Sequence, residues 1–282
     1  MNKNTINQAI QAAFVADAYC LGSHWVYDEA QLKSLDIDWN ELNAPQAMWH
    51  KGKNKGDFTH YGDHGKWLNE FIQKNGHFDI TMYGGFWLDN MQEYKGYIDG
   101  SSRETMEALK QDPKTDKGST SHDLSIVGRI APLLLISNSK EEFLKHVETF
   151  VAFTHNSAIV LKAAALFASI LYDVAKGKSI DKALHETDVD PALKTAFDAG
   201  MNSKGQDTFS TIRNFGPACG VEGGLEGVLH LLVSYDDFKE AMIANAKAGG
   251  DTSARAMIVA MIMGAAGKSI PSSWIEETKG LA

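Results

Sequence analysis

The 282-residue chain is 44% hydrophobic and 22% charged, with a formal net charge of −9. That length is ample for a sizeable core in one large domain or two small ones. The acidic balance, with Lys51, Lys53 and Lys55 as the only basic cluster, speaks against binding nucleic acid through its phosphates.

Two cysteines, Cys20 and Cys219, lie in apolar helical surroundings, which suits buried thiols in a reducing compartment. The start MNKNTINQAI has no charged region leading into an apolar run, and no stretch of about 18 apolar residues stands out. The expectation is therefore no leader, no membrane span and a cytoplasmic location.

Residues 5–21 open the chain with a helical period that puts Ile6, Ile10, Ala13, Phe14, Asp17 and Leu21 on one face. Further helices are predicted over 63–75, 84–94, 101–111, 123–137, 140–153, 157–176, 179–187, 190–201, 219–233, 235–247 and 252–266. No alternating run demands a sheet, and the strand-then-helix repeat of an α/β fold is missing. The fold class is an all-α multi-helix bundle, read as a single domain over 1–282. Two connections, 38–62 and 110–122, are long and irregular, as functional loops often are. The helix at 252–266 is apolar nearly all round and belongs at the centre of the fold. Ile270-Pro271 ends that region, with Trp274 packing beyond it.

Asp17 interrupts the apolar stripe of the first helix. A carboxylate there must be hydrogen-bonded, paired or metal-bound; it either accepts from another helix's start or belongs to a site. Asp63 and Asp251 each follow a glycine and each precede a helical segment. Asp251 with Thr252 and Ser253 is either an N-cap cluster or a set of oxygen ligands aimed into a pocket, the kind hard cations favour. Tyr61 and His64, with His60, cluster around Asp63. His24 and Trp25 follow the first helix, His122 precedes Asp123, and His155 and Asn156 open another helix. Polar and aromatic groups at helix ends either cap or line a ligand pocket. Phosphate loops, dinucleotide fingerprints, HExxH, CxxC and GxSxG motifs are absent. The glycine-rich GVEGGLEG at 220–227 reads as close helix packing.

FVADAYCLGSHWVYD, YGDHG, YKGYIDGSSRETM, FTHNSAIVLKAA, CGVEGGLEGVLHLL and NAKAGGDTSARAMIVAMIMGAAGKSIPSSW together resemble, over nearly the whole chain, the ADP-ribosylglycohydrolase family. The likeness is greatest to its branch related to selenoprotein J and the J-type crystallins. It implies an all-α fold with a central cleft, in which two Mg²⁺ ions orient ADP-ribose and activate a water. The family's Thr-Asp-Asp ligand motif is set against Gly62, Asp63 and His64, and its Asp-x-Asp-Thr against Asp251, Thr252, Ser253 and Ala254. Only Asp63 and Asp251 then match as carboxylate ligands.

Two readings follow. In the first, the chain is a hydrolase cleaving a glycosidic bond of an ADP-ribose-like or related nucleoside-sugar compound. Asp251 and Asp63 are its catalytic carboxylates, and His24, Trp25, Tyr61, His64, His122, His155 and Asn156 line the site. At most one Mg²⁺ or other divalent cation sits at Asp63, Asp251 and Thr252, with no binuclear Mg²⁺ centre. The carboxylates of Asp17, Asp63 and Asp251 are expected at one cleft. In the second reading, the chain is a non-catalytic, crystallin-like descendant. Neither nucleic acid nor membrane is expected as a partner, and the oligomeric state stays open.

Overall fold

Residues 3–20 and 252–265 form the two helices around which the rest is arranged, α1 (Lys3–Cys20) and α13 (Thr252–Ala265). Small side chains let them approach closely. A methyl group on Gly264 would sit 2.6 Å from both the Gln8 carbonyl and the Ala12 side chain. All residues of α13 are buried, as its apolar circumference requires. The computed structural model describes residues 1–115 and 118–281.

Between these two helices the chain forms α2 (Glu29–Lys33), α3 (His60–Asn75), α4 (Ile80–Glu93), α5 (Gly100–Gln111), α6 (Lys140–Thr154), α7 (Ala158–Ala175), α8 (Ile180–Glu186), α9 (Lys194–Met201), α10 (Thr208–Phe215), α11 (Val221–Ser234) and α12 (Phe238–Ala248), and it ends on α14 (Ser272–Glu277). Only isolated bridges, and no strands, occur among the described residues. α13 is surrounded by α1, α7, α11, α12 and a 3-10 segment at Leu124–Arg129. α7 is long and apolar enough to cross a membrane, which the sequence reading missed; more than half of it is buried inside the fold.

The span expected as one helix over 123–137 is instead two 3-10 segments, Leu124–Arg129 and Ala131–Ile136. Pro132 supplies the reason: it has no N–H to give the ladder, and its ring clashes with the carbonyl four residues back. Gly128 also lies hard against α13, where a methyl group would meet the Met257 side chain at 2.5 Å. The short α2, α10 and α14 carry too few turns to show a period. Of the loop at 110–122, residues 116–117 lie outside the described residues; the loop at 38–62 is irregular apart from a 3-10 turn at Met48–His50 and the start of α3.

Candidate functional site

Asp251 is the N-cap of α13, its Oδ1 accepting the Ala254 N–H at 3.1 Å. Three chain segments fix it. Gly249 and Gly250 take φ of +71° and +69°, a region that favours glycine. Gly250 pairs with Val26, and Trp25 N–H donates to the Gly250 carbonyl at 2.8 Å. Asp251 N–H donates to the Pro217 carbonyl at 2.8 Å. A side chain at residue 250 is impossible without a shift, since its Cβ would lie 2.1 Å from the Pro217 carbonyl. Arg255, one turn on, braces the same loops by donating to the carbonyls of Pro217 and Gly249 and to Asn245 Oδ1.

Around the Asp251 carboxylate, the Tyr61 hydroxyl donates to Oδ2 at 2.9 Å, the Trp25 side chain also bonds to it, and His24 Nδ1 stands 3.5 Å from Oδ1. The closest acidic neighbour is Asp123, absent from the expected site. Residues 122–124 pair with 219–221: Leu124 N–H donates to the Cys219 carbonyl and Val221 N–H to the His122 carbonyl. This places one donor atom each of Asp123, Cys219 and Asp251 within 4.8 Å of one another. Burial raises the Asp123 carboxyl to about 7, with repulsion from Asp251 adding to it. Burial likewise raises Asp251, against hydrogen bonds from Ala254, Tyr61 and Trp25 and the attraction of Arg255. The Cys219 thiol is pushed up by burial and by both carboxylates, so it is a neutral hydrogen-bond donor at neutral pH.

The remaining expected residues divide into two groups. His24, His64, Tyr61 and His155 are buried, with Trp25 partly covered beside them. His24 stacks on Trp25 with ring centroids 4.7 Å apart, and Trp25 has a φ of +62°, a strained value for a bulky residue. His50, which the sequence reading left out, and His60, which it clustered with Tyr61 and His64, join this group: His24–His50 and His50–His60 centroids are 5.1 and 5.7 Å apart. His60 Nε2 faces Asp99 at 3.4 Å. His155 Nδ1 pairs with the Thr154 hydroxyl, and His64 Nδ1 faces Arg129. His122 is exposed and faces Glu222, while Asn156 is held through its backbone N–H to the Ser119 carbonyl.

Asp63 is not part of the donor cluster at Asp251. Asp63 Oδ2 binds Lys53 and the Tyr94 hydroxyl, each at 2.5 Å, on the outer side of α3. The physical reason is register. The cap of α3 is Thr59; Tyr61 of its first turn reaches Asp251, and Asp63, two residues later, is turned about 200° round the helix from it. The segment that meets Asp251 is thus Thr59-His60-Tyr61, three residues before Gly62-Asp63-His64. Asp17 sits between these groups as a brace, accepting the Thr59 N–H at 2.8 Å and its hydroxyl at 2.6 Å. Gly62 leaves it room, since a Cβ there would lie 2.3 Å from Asp17 Oδ2. Thr252 also turns away from a ligand role, its hydroxyl donating to the Cys20 carbonyl at 3.3 Å.

The buried imidazoles predict a pH response. Burial holds His50 and His155 at about 3, against about 6.5 unfolded. Between those values the unfolded chain binds the extra proton, so stability is full above pH ~6.5 and falls as pH drops below it. Asp17 and Asp123, both raised to about 7, act in the opposite sense: the folded chain binds the extra proton between pH ~4 and 7. A His50→Gln variant therefore isolates one histidine. Urea unfolding at pH 7.5 and pH 5 should show the variant losing about 2 kcal/mol less than the parent on acidification. Equal losses would place His50 outside the buried, neutral set.

Comparison with known proteins agrees with this architecture. The family model for ADP-ribosylglycohydrolase matches residues 3–281. Crystallin J1A of Tripedalia cystophora is 22% identical over 298 residues, covering 98% of this chain and 92% of the crystallin. A solved structure described as an ADP-ribosylglycohydrolase-related protein complex superposes with a TM-score of 0.70 at 18% identity, covering 99% of this chain and 95% of the other. Through that match over nearly its whole length, and with the all-helical fold to go with it, the chain belongs to the ADP-ribosylglycohydrolase family.

Proposed function

We propose that the chain hydrolyses a glycosidic bond in an ADP-ribose-like or related nucleoside-sugar compound, with Asp251 and Asp123 as its working pair. The observation that carries this reading is the meeting of two carboxylates, from segments far apart in sequence, within 4.8 Å, with Asp251 buried and Asp123 partly exposed. Glycoside hydrolysis calls for such a pair held in different protonation states. Asp123, raised to about 7, carries a proton in a substantial fraction of molecules at neutral pH and can donate it to a leaving group. Asp251 is held by the Tyr61 hydroxyl, the Trp25 side chain and the Ala254 N–H. Those donors oppose the burial that raises its carboxyl, and in the carboxylate form it would stabilise positive charge developing at the anomeric carbon. The spacing is nearer the ~5–5.5 Å of retaining than the ~6.5–9.5 Å of inverting glycosidases.

The family's paired Mg²⁺ ions do not fit these residues. His60 and Tyr61 occupy the first turn of α3, the Tyr61 hydroxyl is already spent on Asp251, and Thr252 bonds Cys20. Mg²⁺ demands oxygen ligands in octahedral order, whereas the one donor group that converges on Asp251 among the described residues includes the Cys219 sulfur.

Product release from p-nitrophenyl β-D-ribofuranoside, adenosine and an ADP-ribosylated peptide tests the reading. Turnover of at least one that survives a chelator and is lost in Asp123→Asn is the expected result. Turnover that requires added Mg²⁺ would overturn the metal-independent pair. Ligand binding without any turnover would favour the second reading, a non-catalytic crystallin-like protein. That reading is supported by the likeness to Crystallin J1A and by the imidazole and phenol in the first turn of α3.

A further inference from the structure

The basic cluster of Lys51, Lys53 and Lys55 takes no part in the hydrolytic pair. Lys55 is spent on Glu41 and Glu277, at 3.1 and 2.9 Å. The other two line a cavity of about 440 Å³, which Lys66 and Trp67 of α3 and the turn at Tyr94–Gly96 complete. That volume lies within the ~300–1,000 Å³ of small-molecule sites. At about 100° per residue, the α3 positions in the lining, from Asp63 to Glu70, fall on the side of the helix away from Tyr61. The cavity is therefore separate from Asp251. Lys51, Lys53, Lys66 and Lys95 line it against two carboxylates, Asp63 and Glu70, in a chain whose net charge is −9.

The two carboxylates do not use up the four cations. Lys53 holds Asp63, and the Tyr94 hydroxyl donates to the same oxygen, so that negative charge is covered from two sides. Lys66 stands 3.7 Å from Glu70, too far for a hydrogen bond. Lys51 and Lys95 are exposed, and neither side chain makes an ion pair or hydrogen bond among the described residues. Trp67 adds a firm apolar wall, with His64 stacked on it at 4.5 Å and Tyr94 edge-on at 5.2 Å. A cleft of one charge sign beside a low-dielectric wall concentrates the field and draws counter-ions. No arginine lines it. The flat guanidinium fork matches planar carboxylates, whereas ammonium groups act as point charges. Ammonium groups arriving from three chain segments suit a tetrahedral phosphate, whose oxygens face all sides.

We propose that this cavity is a second ligand site, which binds a small phosphorylated anion carrying at least two negative charges. Lys51 and Lys53 follow directly on His50, whose ring packs against His24 and His60. The bound anion thus ties that loop to α3 and to the turn before α5. The site does not depend on the reading of Asp251 and Asp123 as a glycosidic pair.

Calorimetry on the full chain, with pyrophosphate as the probe and about 0.15 M salt to screen long-range attraction, tests it. Pyrophosphate should bind at least about tenfold tighter than sulfate, which has fewer charges, and than citrate, whose carboxylates are planar. Lys51→Glu and Lys95→Glu should each weaken it by about fivefold or more. Lys204→Glu makes the same change of net charge at an exposed lysine outside the cavity and should move it by less than about twofold. All three substitutions are at exposed residues, and an unchanged melting temperature without ligand confirms that the fold is kept. Sulfate or citrate binding as tightly as pyrophosphate, equal weakening in all three variants, undiminished binding in Lys51→Glu and Lys95→Glu, or no binding at all would each overturn the proposal. None of these readouts needs turnover, so failure here leaves the hydrolase reading untouched, and a chain without hydrolase activity leaves this site untouched.

Discussion

Asp251→Asn should lower turnover by about 10²–10⁴-fold, the usual contribution of a positioned carboxylate, and leave the fold intact. The two effects separate because asparagine caps a helix as well as aspartate does. The bond from Ala254 N–H to Oδ1 is kept, and the amide NH2 takes the place of Oδ2, where it donates to the Tyr61 hydroxyl oxygen in a bond of reversed direction. What is lost is the negative charge facing Asp123. The same loss should bring the Asp123 carboxyl back down, because repulsion from Asp251 is one of the causes that raise it. The pH profile of residual activity should therefore shift to the acid side. Steady-state rates on the best substrate of the panel, with a thermal melt of the same sample, decide it. Turnover within about threefold of the parent would remove Asp251 from the chemistry.

The largest loss of stability is expected at Arg255. The side chain is 1% exposed and its guanidinium satisfies Asn245 Oδ1 at 2.9 Å, the Gly249 carbonyl at 2.6 Å and the Pro217 carbonyl at 3.2 Å. Gly227 of α11 leaves it space, since a methyl group there would come within 2.9 Å of its Cδ. Arg255→Ala strands three acceptors at about 1–3 kcal/mol each for those left dry, and takes a cation away from buried Asp251. The expected cost is about 3–5 kcal/mol, a large share of a typical 5–15 kcal/mol stability. Urea unfolding monitored by circular dichroism measures it. A cost below about 1 kcal/mol would mean that water replaces the guanidinium freely.

The fold was legible where a pattern repeats over several turns. The stripe from Ile6 to Leu21 became α1, and the apolar run from Ala254 to Met263 became the buried α13. It was not legible at Leu124–Ile136, where Pro132 breaks a period that the apolar residues alone would continue. Asp251 was found because Gly-Gly-Asp before a helix is a local signal. Asp123 and Cys219 were not, because their meeting depends on backbone pairing between segments almost a hundred residues apart. Asp63 illustrates the opposite failure. A glycine before an aspartate suggested a helix start, but Thr59 is the cap, and the two residues from Tyr61 to Asp63 carry the side chain about 200° round the helix to another face. His50 lies in a loop with no period at all, and only its burial marks it.

The pairing of α1 with α13 also governs how the chain must be made. The first helix emerges from the ribosome with an apolar face whose partner lies at Thr252–Ala265. At a synthesis rate of about 5–20 residues per second, the wait is on the order of ten seconds or longer. During vectorial synthesis that face is open to other nascent chains and to chaperones, and no early intermediate can bury it natively. Truncations that stop short of Thr252 should accordingly leave no folded fragment.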